Sequence, residues 1–422
     1  MIAPFRIHAP VVTPVARDSI AWHPHGVVAV DAKGSILFVG SETDLPEHLL
    51  SLPARHSEDV LLPGFIDAHV HLPQFDCRGK FGTTLLEWLD RFIYPEEMRF
   101  AEDAVARDVS SRFYAALARA GTTTAMVYGT VHPRATDIAF EEAERAGLRI
   151  ILGNVLMDMH APDALLLSAA DSLRTSEELI ERWHRKTPLL QYAVTPRFAP
   201  TCSVELLRGA GALAARHGTY VQTHLNESAG EIARVRELFP EAAHYTDVYR
   251  EAELLSDRTV LGHNIHTDDA QIDVLRTHDC AVAHCPDSNL FLGSGRFPLE
   301  MHAEAGLRVA LGSDVGAGTT LSMFHVMRAM SYVQARSLHP FLALYNATLG
   351  GAAALGLSDD IGSLEAGKQA DMISVRVERQ FCRGKSLSDL SPVEIASVLV
   401  YRSEGSAVTR SWIGGASVYD AG

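Results

Sequence analysis

The chain has 422 residues, 47% hydrophobic and 21% charged, which is the composition of a soluble globular protein with one large domain and something small beside it. Its 37 Lys and Arg against 52 Asp and Glu leave a net charge of -15, which repels a phosphate backbone and excludes nucleic acid as a bulk partner. The five cysteines, Cys77, Cys202, Cys280, Cys285 and Cys382, are odd in number and hold no C-x-x-C pair. That excludes a disulfide framework and a zinc knuckle, and it suits a reducing cytoplasm.

In chain order, Met1 to Ile20 interrupts its apolar residues with Pro and Arg and so lacks a signal-peptide core. No run of about 18 apolar residues predicts a membrane span. Gly26 to Val30, Asp31-Ala-Lys-Gly34 and Ser35 to Val39 read as strand, turn and strand. Short apolar runs then recur at Leu61 to Ile66, Thr123 to Tyr128, Arg149 to Leu156, Leu189 to Val194, Thr219 to Thr223, Thr259 to Leu261, Ala281 to Ala283 and Arg308 to Leu311. Helix-like sequence follows them, as at Thr136 to Ala146 and Glu205 to Arg216. Strands alternating with helices predict an α/β fold with a parallel sheet, and eight strands close a (β/α)8 TIM-type barrel. The end of the chain returns to β structure, with a strand at Asp371 to Val377 and a hairpin of Val408 to Ile413 and Ala416 to Tyr419 around Gly414-Gly415.

The first barrel run leads into His69-Val-His71. Residues two apart on a strand face the same side, so both imidazoles project together into the barrel mouth. Three later runs end in residues of the same kind: Tyr220-Val-Gln-Thr-His224, Val260-Leu-Gly-His263 and Val309-Ala-Leu-Gly-Ser-Asp314. Strand C-termini converge on one face of such a barrel, where catalytic residues sit. Four histidines and one carboxylate meeting there suit a catalytic zinc or iron that acidifies bound water.

Pro63-Gly-Phe-Ile-Asp-Ala-His69-Val-His71 resembles the signature of the amidohydrolase superfamily. Within it, His71-Leu-Pro-Gln74, Pro196-Arg-Phe-Ala-Pro-Thr201, Gln222-Thr-His-Leu-Asn-Glu227, Ala283-His-Cys-Pro286, Ser288 to Gly295 and Leu311 to Gly318 are similar to the guanine deaminase blocks, in the same order. The resemblance implies a metal-dependent (β/α)8 barrel over 61–369, with a small β-sandwich from 1–60 and 370–422. It implies a cytoplasmic homodimer that converts guanine to xanthine and ammonia. It assigns one Zn2+ per subunit to His69, His71, His224 and Asp314, with His263 aiming the attacking water. Glu227 becomes the proton shuttle and Asp314 the acceptor of the water's proton. Gln74, Arg197 and the Phe198 backbone hold the purine, beside His71, His224, Glu227 and Asp314.

A single metal also follows from Leu189 to Arg197, which lacks the lysine that two-metal relatives carboxylate on the fourth strand. Related substrates such as 8-oxoguanine, a pterin or a triazine would use the same metal site. Asp287 stands where the resemblance leads one to expect Thr, and Tyr128-Gly-Thr130 also departs from it, so both are expected near the pocket rim. Gly362 to Gln369 nearly matches a phosphate-binding loop, but Gln369 replaces the magnesium-binding hydroxyl and no strand leads in. Phe81 to Tyr94, with Trp88 among its apolar residues, is the expected cover of the site.

Overall fold

The computed structural model describes residues 1–82, 84–378 and 384–422, and Cys382 lies outside them. The remaining four cysteines are buried free thiols.

Eight parallel strands form the barrel in chain order: Phe65–His71, Thr122–Tyr128, Arg149–Gly153, Leu190–Pro196, Tyr220–Leu225, Thr259–His263, Ala281–His284 and Arg308–Leu311. Val155–Leu156 adds a short pairing beside the fourth strand. Apart from Gln191, Arg308 and Val309, the residues of these eight strands are buried. A parallel sheet covered on both faces selects such near-continuous apolar runs. Backbone bonds just past the eighth strand draw the ends of the sheet together: the Asp314 N–H donates to the His69 carbonyl at 2.8 Å, and the His71 N–H to the Val315 carbonyl at 2.8 Å. The same two bonds place Asp314 beside the paired histidines.

The expected helices are present as Pro133–Ala146 and Val204–His217, stopped by Gly147 and Gly218 at φ of 68° and 62°. Both values lie in the left-handed region that glycine reaches without strain.

The two chain ends build a second sheet, ordered Ala416–Asp420, Val408–Ile413, Met372–Val375, Val60–Pro63, Phe5–Ala16, Ser19–Val30 and Ile36–Ser41, with Ala54–His56 beside Phe5–Ala16. Phe5, Ile7, Val11, Val28, Leu61, Met372 and Trp412 pack its core.

Two differences from the sequence reading have physical causes. The apolar run Leu61 to Ile66 is two strands: Val60–Pro63 pairs with Met372–Val375, and Phe65–His71 opens the barrel. An unbroken apolar run has no periodicity to mark where one sheet hands over to another. The strand Phe5–Ala16 was hidden by its prolines. Its register with Ser19–Val30 shifts between Ala9 and Val11, where Pro24 and His25 together oppose Pro10, so the ladder is interrupted at a bulge that tolerates the missing N–H.

By contact density the chain divides into two compact units, one of residues 1–67, 115–124 and 321–422, the other of residues 68–114 and 125–320. The second unit holds every residue of the site described next. Among the described residues no helix is long and apolar enough to cross a membrane.

Candidate active site

His69, His71, His224, His263, Glu227 and Asp314, expected at the strand ends, lie together in the structure, and each is less than a tenth exposed. His69 Nε2 is 3.3 Å and His71 Nε2 3.2 Å from Asp314 Oδ1. His71 Nε2 faces His224 Nε2 at 3.3 Å. Two ligands held at about 2.0 to 2.2 Å from one tetrahedral ion stand roughly 3.3 to 3.6 Å apart, so these spacings are close to those of a ligand shell. His69, His224, His263 and Asp314 also form a donor group within 4.8 Å, with His263 Nε2 at 3.7 Å from Asp314 Oδ2. The site therefore offers five donors. Of the two that distinguish these sets, His71 makes the shorter approach to Asp314, 3.2 Å against 3.7 Å for His263.

The protonation states suit a cation. His224 Nδ1 lies 2.7 Å from the Arg197 carbonyl, which can only accept, so the proton is on Nδ1 and the Nε2 lone pair faces the cluster. Burial lowers His71 to about 3 and carries His224 well below the imidazole range, helped by the neighbouring histidines, so both rings are neutral. Burial alone would raise the Asp314 carboxyl, but its close contacts with the His69 and His71 rings outweigh it and hold the group ionised. Neutral nitrogens and one carboxylate turned to a common point form a site that fits a divalent ion.

The strand ends are shaped for this convergence. His263 and Asp314 have φ of 69° and 49°, a left-handed conformation in which His and Asp are enriched. Gly262 lies in the sixth strand and Gly312 just past the eighth, and both press on His69. A Cβ at Gly262 would lie 2.6 Å from His69 Cε1, and one at Gly312 2.7 Å from His69 Cβ. From the other side the Tyr128 ring stacks on His71 at 4.4 Å. Tyr128 thus belongs to the wall of the cluster rather than to a rim.

A cleft opens over the cluster, lined by His71, His224, His263, Glu227 and Asp314, by Gln74 and Arg197, and by Phe198, Leu85, Trp88, Leu89, Leu292 and Ala317. Leu85, Trp88 and Leu89 place the expected covering segment over it. Glu227 is raised to about 8 by burial and then by the charge of Asp314, so it carries a proton near neutral pH. Ser294 Oγ donates to its Oε1 at 3.2 Å, and Oε2 lies 3.5 Å from His263 Nε2. His263 Nδ1 donates to Asn289 Oδ1 at 2.9 Å, which turns its Nε2 lone pair inward.

Several supporting residues escaped the sequence reading. Tyr249 donates to the His224 carbonyl at 2.7 Å and accepts from the Ala199 N–H at 3.0 Å, bracing the ends of the fourth and fifth strands. Glu97 accepts both Arg197 and Gln74. It lies in no motif, and the only cue was that a buried arginine requires an anion. Asp287, expected at the rim, instead accepts the Thr319 N–H at 2.6 Å and so fastens the loop after the eighth strand. His284, not assigned to the metal, stacks on Phe297 at 4.4 Å.

A nearly closed parallel barrel with a buried His/Asp donor cluster at its strand C-termini defines a metal-site barrel hydrolase. The chain belongs to the amidohydrolase family, whose signature matches residues 60–418. It is 40% identical over 366 residues to guanine deaminase of Escherichia coli, covering 86% of this chain and 83% of that one. It is 39% identical over 426 residues to a probable guanine deaminase of Deinococcus radiodurans, covering 98% and 97%. The solved guanine deaminase of C. acetobutylicum, with guanine bound in its active site, superposes with a TM-score of 0.92 at 28% identity, over 99% of this chain and 100% of that one.

Proposed function

We propose that this chain hydrolyses guanine to xanthine and ammonia as a cytoplasmic homodimer with one zinc ion per subunit, held by His69, His71, His224 and Asp314. The observation that carries the reading is that Arg197 and Gln74 line the same cleft as the donor cluster and Glu227. Guanidinium has donors only, so Arg197 pairs with the acceptor O6 of guanine, whereas adenine presents an amino group there. The Gln74 amide and the Phe198 backbone serve the same edge of the base.

A divalent ion in such a site acidifies water to a pKa of about 7 and so supplies the nucleophile near neutral pH. The residues divide the remaining work. Asp314 accepts a proton from the attacking water, and the inward Nε2 lone pair of His263 orients that water. Protonated Glu227 delivers its proton to N3 as the new C2–O bond forms, which relieves the negative charge arriving on the ring. The proton held by Asp314 then passes through Glu227 to the amino nitrogen, the C2–N bond breaks and ammonia leaves, and the proton of the new C2 hydroxyl restores Glu227. The carbonyl of xanthine remains.

The test is ammonia release from a panel of guanine, 8-oxoguanine, adenine, cytosine, a pterin and a triazine. Guanine should exceed adenine and cytosine in kcat/KM by at least about 10³, because buried donors left unpaired discriminate by about 10⁴ to 10⁵. Comparable rates on guanine and adenine, or a faster rate on another heterocycle, would reassign the substrate.

A further inference from the structure

The substrate clamp has its own counter-charge. Glu97, on the short helix Tyr94–Met98, is 2% exposed, and Arg197 is 3% exposed. Arg197 Nη1 donates to both Glu97 oxygens, at 2.9 and 2.7 Å, across 100 residues of sequence. Gln74 Nε2 donates to Glu97 Oε1 at 3.2 Å, while Gln74 Oε1 accepts the Gly316 N–H at 3.2 Å. The Tyr94 ring lies 5.4 Å from the guanidinium carbon, within cation–π range.

Two consequences follow. With Nη1 occupied, Nη2 and Nε of Arg197 are the donors left for a substrate. Rotating the Gln74 amide by half a turn would set its oxygen against the Glu97 carboxylate and its NH2 against the Gly316 N–H, so its orientation is locked with one amide hydrogen spare. A bare guanidinium buried here would attract any anion, whereas paired with Glu97 it is a neutral array of directed donors.

We propose that Glu97 is a positioning and specificity-determining residue: it aims Arg197 and Gln74 and cancels the arginine charge, so that the cleft selects neutral purines bearing a carbonyl over purine anions. The proposal deepens the guanine reading and rests on it.

The test compares the parent, Glu97→Gln and Glu97→Asp for guanine kinetics, metal content and binding of xanthine, measured calorimetrically at a pH where xanthine, much more acidic than guanine, is largely the anion. Glu97→Gln removes the counter-charge, so the guanine KM should rise at least about tenfold while the xanthine anion binds at least about threefold tighter, with metal content unchanged. A merely structural role would weaken both ligands together, and that result, or unchanged constants, would overturn the proposal. Glu97→Asp keeps the charge but withdraws the carboxylate by one methylene. Its guanine kcat/KM should fall by up to about 10²-fold, with xanthine binding no tighter than in the parent. If Glu97→Gln does not fold, Glu97→Asp decides alone, and parent-like guanine kinetics in it would overturn the proposal. A parent inactive on guanine would count against the deaminase reading only, because the xanthine arm needs no turnover.

Discussion

The sixth strand offers a way to disturb the donor cluster without touching a ligand. In Gly262→Ala the added Cβ would lie 2.6 Å from His69 Cε1 and 2.9 Å from its Nδ1. Carbon atoms rest at about 3.5 to 4.0 Å, so the imidazole must retreat by about 1 Å or the strand must bend. Gly262 is not among the glycines with positive φ, so the alanine adds no backbone strain and the whole effect passes through His69. Overpacking of this kind costs about 1 to 3 kcal/mol, which a barrel of this size survives folded. A 1 Å displacement of a group that must meet others is worth about 10²-fold in rate. The expected protein is therefore folded, slightly less stable in a thermal melt, depleted in metal and slower by about 10²-fold. Gly230→Ala is the control, because a Cβ there meets nothing within 4 Å. It lies inside the helix Ala229–Leu238 and should gain up to about 1 kcal/mol with unchanged kcat. Full metal content and kcat within about threefold of the parent in Gly262→Ala would refute the view that close packing of a strand glycine holds His69 in place.

Glu227→Gln should retain metal and still bind guanine but lose about 10² to 10⁴ in kcat, checked by elemental analysis beside steady-state kinetics, since the amide keeps the shape and loses the transferable proton. Replacing His69, His71 or His224 by Ala should remove activity with the metal, and elemental analysis of the parent should find one equivalent per chain rather than two. Asn289→Leu removes the acceptor of His263 Nδ1–H and frees the ring to change tautomer, so kcat should fall more than tenfold, by analogy with the about 10⁴ lost when a catalytic histidine loses its orienting carboxylate, with KM little changed. Tyr249→Phe removes the shorter of two phenol contacts to the Ala199 N–H and the His224 carbonyl and leaves the Tyr245 hydroxyl at 3.2 and 3.4 Å from the same atoms, so the melting temperature should fall through about one lost buried hydrogen bond, about 1 kcal/mol.

What the sequence alone determined is what local periodicity can carry. The alternation of apolar runs with helices specified a parallel barrel, and the two-residue spacing of His69 and His71 specified a shared face, because a strand has period two whatever surrounds it. The ends of the later runs located His224, His263 and Asp314, since strand C-termini must meet on one side of a closed barrel. The boundary inside 60–71 was not legible, because both its strands are buried and apolar and only their pairing partners differ. Nor was Phe5–Ala16, whose prolines argue against a strand until the bulge opposite Pro10 is seen. Tertiary structure alone decided the companions of the site. Glu97 meets Arg197 across 100 residues, and the tautomers of His224 and His263 depend on the Arg197 carbonyl and on Asn289. Such partners are selected by distance in space and by the need of every buried charge and ring nitrogen for a complement, and neither leaves a repeat or a spacing in the chain.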